Sequence, residues 1–293
     1  MPEFPDITLY IESLKPRIQG HPLQKIRLAS PFLLRSADPP ITEAEGRHLL
    51  DFRRIGKQII WHLDNDIFMV FHLMIAGRFH WKNPGAKVSG KVGLAAFDFP
   101  TGTLLLTEAS SKKRASLHLV QGEAGLSVFN KGGIEVFDGG FDQFDRVLRS
   151  ENHTLKRALT DPHLFSAIGN AYSDEILHRA HLSPLLLTQK LTEEQSRTLF
   201  TSVRGTLSEW VERLRQQTGD AFPEKVTAFH EEMAVHGKFG RPCPVCGTNV
   251  QRIVYAENEC NYCPKCQTGG KLLADRSLSR LLKDDWPKTI DEL

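Results

Sequence analysis

The chain has 293 residues, 40% of them apolar and 25% charged, which excludes wholesale disorder and allows about two domains of ~150 residues, each able to bury a core without disulfides. Thirty-seven Lys and Arg against 35 Asp and Glu give a net charge of +2, so no global basic excess marks a nucleic-acid partner and any such contact needs a local patch. No stretch approaches the ~20 apolar residues of a membrane span.

The start, MPEFPDITLYIESLKPR, lacks a basic segment followed by an apolar one and is not a secretory signal; the expected location is cytoplasmic, at the nucleoid if the source is bacterial. Ile7, Leu9, Tyr10, Ile11, Leu14 and Ile18 recur at helical spacing, with Pro16 marking the expected end of that helix. From about residue 24 to 135 the runs QIIWHL, IFMVFHLMIAGRFHW, KVGLAAFDF, GTLLLTEAS, ASLHLVQG and GLSVF alternate with turn residues. They predict an antiparallel sandwich or barrel-like sheet. FHLMIAGRFHW is apolar on both parities, which predicts a centre buried on both faces.

From about residue 142 to 236 helical periodicity takes over, in HTLKRALTD, PHLFSAIGNAYSDEILHRA, TEEQSRTLFTSVRGTLSEWVERLRQQ and PEKVTAFHEEMAVHG. All five cysteines then fall between residues 243 and 266. Cys243-Pro-Val-Cys246 and Cys263-Pro-Lys-Cys266 are two C-x-x-C pairs joined by a span that suits a β-hairpin. Such spacing predicts one structural zinc ion held by four thiolates, with a redox dithiol as the other use of the motif. Cys260 is spare, though it could replace Cys263. The remaining stretch, from about residue 269, carries a short amphipathic piece and a polar tail.

Met1-Pro2-Glu3 has a chemical meaning if methionine is removed. Pro2 would then carry a free secondary amine, and an α-amino group with a pKa near ~7.7–8.0 is partly deprotonated and nucleophilic at neutrality. Glu3 beside it could shuttle protons. Proline at position two is common, so this gains weight only in company.

That company is present. MPEFPDITLYIESLKPRIQG, the lysine of RRIGKQIIW, HLMIAG, LKRAL followed by AIGNAYSDEIL, and VHGKFGRPCPVCG with NYCPKCQ occur in order. Together they resemble the formamidopyrimidine-DNA glycosylase / endonuclease VIII family of base-excision repair enzymes, from residue 2 to about 268. The resemblance implies an α+β fold: an N-terminal helix and β-sandwich catalytic domain over 1–135, a helix–two-turn–helix DNA-binding domain over 142–236, a zinc finger over 237–268 and a tail over 269–293.

It also implies a bifunctional DNA glycosylase and abasic-site lyase that acts as a monomer on damaged DNA, away from membranes. Pro2 would attack C1′ of the damaged nucleotide, expel an oxidised or ring-opened base and form a Schiff base; β- and δ-elimination would then cut the strand. Glu3 would protonate the sugar ring oxygen, and Lys57 would contact phosphate and assist. Gly169 and Asn170 would meet a phosphate beside a helix start, with Lys156 and His72 as further backbone contacts.

Three places depart from the family pattern. The Met wedge of H-L-G-M-S-G is Ile75 here, with Met74 at the Gly position. The Arg-Arg-Phe loop is replaced by Ser111-Lys112-Lys113-Arg114-Ala115, which keeps charge but lacks the aromatic. The hairpin arginine is Asn258, flanked by acids. The stretch from Gly205 to Val235 is also longer than usual, so the choice of lesion does not carry over. Two alternatives stay open: a damage- or abasic-site-binding protein with weak or no excision, and a relative acting mainly on single-stranded or cross-linked DNA.

Overall fold

The computed structural model describes residues 1–88, 90–255, 258–274, 276–283 and 286–292; for residues 255, 258 and 276–278 it describes the backbone alone. The chain forms two units, Met1–Lys131 with Trp210–Thr227, and Gly132–Glu209 with Ala228–Leu293.

The first unit opens with helix α1 (Phe4–Ile18). Its stripe of Ile7, Tyr10, Leu14 and Ile18 is fully buried, which is why the helix runs through Pro16 rather than ending there. The proline lacks one N–H, but the Gln19 N–H still returns to Lys15 O at 3.1 Å.

Eight strands follow: β1 (Lys25–Leu28), β2 (Leu49–Ile55), β3 (Gln58–Leu63), β4 (Ile67–His72), β5 (Gly77–Lys82), β6 (Gly93–Phe99), β7 (Gly102–Glu108) and β8 (Ser116–Gln121). They make two antiparallel sheets ordered β1-β6-β7-β5 and β2-β3-β4-β8. Between the sheets, Trp61 of β3 meets Phe97 and Phe99 of β6 at 5.4 and 5.8 Å, and Phe71 of β4 meets Phe79 of β5 at 5.5 Å. Each such fully buried side chain contributes on the order of 1.5–3 kcal/mol.

β4 is buried on both faces because Ile60, Phe68 and Val70 on its sheet's outer side are covered by Leu126 and Phe129. These come from Glu123–Phe129, a 3-10 segment where GLSVF predicted a strand. The apolar run FHLMIAGRFHW is likewise not one buried stretch. It is the crossing from β4 in one sheet to β5 in the other, and its centre is a turn with Ile75 exposed. Met74 takes a left-handed φ of 52° there. The Gly77 N–H closes on Leu73 O at 2.8 Å, and a Cβ at Gly77 would lie 2.3 Å from that oxygen.

The second unit holds α2 (Phe141–Arg149), α3 (Leu155–Thr160), α4 (Asn170–Arg179), the larger part of α5 (Glu193–Thr218), the hairpin β9 (Gln251–Tyr255) and β10 (Asn258–Tyr262), and the short helices α6 (Pro264–Thr268) and α7 (Arg276–Leu282). PEKVTAFHEEMAVHG, expected as a helix, is not helical. Pro223 stands in it, and its residues bond outward instead of along a ladder. Within the first unit Phe222 and Val226 join the sandwich core, and Glu224 takes His80 Nδ1 and Lys82 Nζ at 2.5 and 2.9 Å. Within the second, the N–H groups of Ala234, Val235 and His236 all donate to the Glu175 carboxylate, at 2.8 to 2.9 Å.

Candidate functional site

In the first unit the chain start is buried: Pro2 and Glu3 lie at the head of α1, Glu3 only 2% exposed. The Glu3 N–H donates to Asp6 Oδ2 at 2.8 Å, which ties the chain start to the first helical turn. Burial lowers the pKa of the Met1 amine, with Arg78 and Lys57 adding to the effect and Glu3 and Asp6 opposing it. Burial also lifts the Asp6 carboxyl to about 7, and its Oδ1 is buried with no hydrogen-bond partner.

Lys57 stands in the two-residue turn between β2 and β3, which Gly56 makes possible with φ 56°. Arg54 next to it bonds Gly56 O at 3.0 Å and lies over the Phe4 ring at 4.8 Å. That contact brings the turn to the head of α1. Lys57 and the amine in turn act on His72, whose pKa falls to about 4, chiefly through burial. His72 Nδ1 accepts the Met74 N–H at 3.1 Å, so the neutral ring carries its proton on Nε2. The structure thus brings Pro2, Glu3, Lys57 and His72 together.

Ile75 projects from the same turn, 57% exposed. Arg78, which sequence reasoning missed, grips that turn by donating to Ile75 O and Gly77 O at 3.1 and 2.6 Å. Glu108 was missed as well. Buried at the end of β7, it accepts the N–H groups of Arg114 and Ala115 at 2.9 and 3.0 Å, while its carbonyl accepts from Lys113 Nζ. Lys112 and Arg114 are exposed, so two of the three predicted basic side chains face solvent. A lone Glu after a β run and an Arg before one carry no signal in sequence; only the turns they hold reveal them.

In the second unit, Gly169 precedes α4 with extended backbone and Asn170 begins the helix. The Asn170 side-chain amide donates to Glu259 O of β10 at 2.9 Å. Lys156 of α3 reaches the same place, donating to Asn170 O at 2.7 Å. Asn258 heads β10 opposite Tyr255; its side chain lies outside the described residues.

The Sγ atoms of Cys243, Cys246, Cys263 and Cys266 all lie within 4.8 Å of one another. Cys243 and Cys266 are 3.9 Å apart, Cys246 and Cys263 3.4 Å. A tetrahedral ion with metal–sulfur bonds of ~2.3 Å needs edges of about 3.8 Å, so these four thiols could hold one. His178 Nε2 stands 3.2 Å from Cys243 Sγ and can donate to a thiolate. Cys260 is outside the cluster: it is buried, and burial followed by the nearby Asp174 carboxylate pushes its thiol pKa up, against the thiolate form a metal needs. No helix among the described residues is long and apolar enough to cross a membrane.

Residues 1–116 match the formamidopyrimidine-DNA glycosylase N-terminal domain and residues 135–221 the formamidopyrimidine-DNA glycosylase H2TH domain. The formamidopyrimidine-DNA glycosylase of Thermus thermophilus is 32% identical over 280 residues, covering 92% of this chain and 100% of its own. A formamidopyrimidine-DNA glycosylase-like protein of Mycobacterium tuberculosis is 39% identical over 151 residues, 52% of this chain and 94% of its own. The structure of Lactococcus lactis Fpg in complex with DNA containing an abasic site superposes with a TM-score of 0.81 at 25% identity, covering 91% of this chain and 99% of that one.

Proposed function

The chain belongs to the formamidopyrimidine-DNA glycosylase family, and from that membership we propose that it is a bifunctional DNA glycosylase and abasic-site lyase of base-excision repair, acting on oxidised or ring-opened bases. The observation that carries this reading is the convergence of the chain's amino end, where Pro2 is buried, with Glu3, Lys57 and His72 at the head of α1. A binding protein needs no such amine.

With Met1 attached, the Pro2 nitrogen is an amide and unreactive; with Met1 removed it is a secondary amine, at a buried position next to the one where burial lowers the pKa of the Met1 amine. Its lone pair attacks C1′ as the C1′–base bond breaks and the base leaves with the bonding pair. Glu3 supplies a proton to the sugar ring oxygen, which opens the ring and gives the iminium. The iminium acidifies C2′, so a C2′ proton is lost as the 3′-phosphate departs; a second elimination expels the 5′-phosphate. Lys57 and the Nε2–H of His72 hold the flanking phosphates.

The reaction needs the nucleotide out of the stack, at a cost of a few kcal/mol. Ile75, apolar and exposed on a pinned turn, is suited to fill the gap. Lys112 and Arg114, Asn170 with the start of α4, and Asn258 of the hairpin are assigned to the duplex backbone. Zinc on Cys243, Cys246, Cys263 and Cys266 supplies folding energy to the hairpin module and no chemistry.

Borohydride reduction in the presence of an oligonucleotide with an abasic site or an oxidised base tests the proposal. Protein with a free Pro2 amine is expected to form a covalent adduct. Absence of an adduct on every such substrate, single- or double-stranded, overturns it.

A further inference from the structure

One carboxylate in the second unit ties three elements together. Asp174 of α4 has no exposed side chain; its Oδ1 takes Lys156 Nζ at 2.5 Å. Its Oδ2 accepts from His236 Nδ1 at 2.8 Å and from the Asn261 N–H of β10 at 3.2 Å. Lys156 gives its other two hydrogens to Asn170 O and Ser173 Oγ, at 2.7 and 2.8 Å. An ammonium has three donors, and all three end inside the protein, on a side chain that is 12% exposed. Burial alone would disfavour the Asp174 anion, yet Lys156 and His236 hold its pKa below the ordinary carboxylate range. The ammonium is therefore paired where it stands, and turning it toward a phosphate would take the cation from Oδ1 of a carboxylate with no exposed side chain.

We infer that Asp174 is a positioning residue of the DNA surface: it takes Lys156 as its own counter-ion and uses it, with His236 and the Asn261 N–H, to register the start of α4 against the β9–β10 hairpin. Lys156 then acts on DNA through Asn170, whose carbonyl it holds and whose amide donates to Glu259 O of the same hairpin. In place of a phosphate contact at Lys156, the charge is spent on geometry. This inference rests on the proposed DNA binding, and the two fail in different ways.

The salt dependence of affinity separates them. Each phosphate neutralised by a protein cation contributes a slope of ~0.9 in log affinity against log salt. Binding of a duplex with a tetrahydrofuran abasic analogue is followed by anisotropy over a range of salt. Lys156→Met and Asp174→Asn are each expected to weaken binding about tenfold with the wild-type slope retained, and the double variant to be no weaker than either single one. A slope reduced by about one phosphate in Lys156→Met overturns the inference and leaves the DNA-binding proposal standing. Wild-type protein that binds no DNA at any salt overturns that proposal itself.

Should the variants misfold, lysine acetylation of wild-type protein decides. Lys156 is expected to resist acetylation equally with and without DNA, whereas Lys112 becomes protected only with DNA. A Lys156 that is acetylated readily in free protein and shielded by DNA refutes its pairing with Asp174.

Discussion

The main-chain N–H of Glu3 donates to Oδ2 of Asp6 at 2.8 Å, so the acid proposed to handle protons is fixed in place by a second acid one helical turn away. Asp6 sits at about 7 because it is buried, against an ordinary value of 3.8. A carboxyl whose folded pKa is raised lends stability that is complete below the unfolded value and is lost as pH climbs through the folded one. Wild-type protein is thus expected to lose on the order of a few kcal/mol of unfolding free energy between pH 4 and 8 through this group. Asp6→Asn keeps the acceptor for Glu3 and cannot ionise, so its stability should be flatter across that window. Urea unfolding at both ends compares them; parallel pH profiles would refute the assignment.

The chemistry divides Pro2, Glu3 and Lys57 by role. Pro2→Gly and Glu3→Gln are each expected to abolish base excision, the second because a general acid is worth ~10²–10⁴-fold in rate. Lys57 is proposed to contact phosphate rather than to make or break a bond, so Lys57→Ala should slow excision without ending it. Single-turnover rates on a duplex with one oxidised base measure all three. Full activity in Glu3→Gln would remove Glu3 from the mechanism.

Ile75 is expected to matter only where there is a stack to fill. Ile75→Ala should lower excision from duplex DNA about tenfold while leaving a single-stranded substrate unaffected, since no vacated gap then needs an apolar plug. Equal losses on both substrates would mean the substitution harmed the turn, which Arg78 holds through Ile75 O.

Much of this was legible in the sequence because it depends on local pattern. The alternation of β runs with turn residues gave the strands, and paired C-x-x-C motifs gave the four clustered thiols. What the pattern missed is long-range. The segment 223–236 has helical periodicity, yet the N–H groups of Ala234, Val235 and His236 go to Glu175, some 60 positions away. Asp174, Glu108 and Arg78 matter through what folds against them, and no spacing rule reports that. FHLMIAGRFHW misled for a related reason, since a sheet-to-sheet crossing and a doubly buried strand have the same composition.

Cys260 separates metal binding from mere thiol content. Cys243→Ser breaks the four-thiol set and is expected to lose stoichiometric metal and to destabilise the hairpin module. Cys260→Ala, outside the set, should keep one metal ion per chain by elemental analysis. It fills a buried site beside Asp174, so a modest fall in Tm is expected. Loss of metal in Cys260→Ala would return this residue to the ligand set.

Glu175 is the last position where a single atom type decides an element's conformation. Its carboxylate accepts three consecutive main-chain N–H groups, of Ala234, Val235 and His236, and it is 7% exposed. In Glu175→Gln one oxygen becomes an NH₂ group; even placed at Oε2, where it faces only the Ala234 N–H, it sets two buried donors against each other and leaves that N–H without its acceptor. Leaving such groups unsatisfied costs about 1–3 kcal/mol each, and the variant is expected to be less stable by about 2–4 kcal/mol. Residues 234–236 lead directly into Cys243, so the loosening should also speed metal loss to a chelator. Glu175→Asp, which keeps both oxygens but shortens the reach, should fall between the two. Metal release as slow in Glu175→Gln as in wild type would show that the carboxylate does not organise the approach to the cysteines.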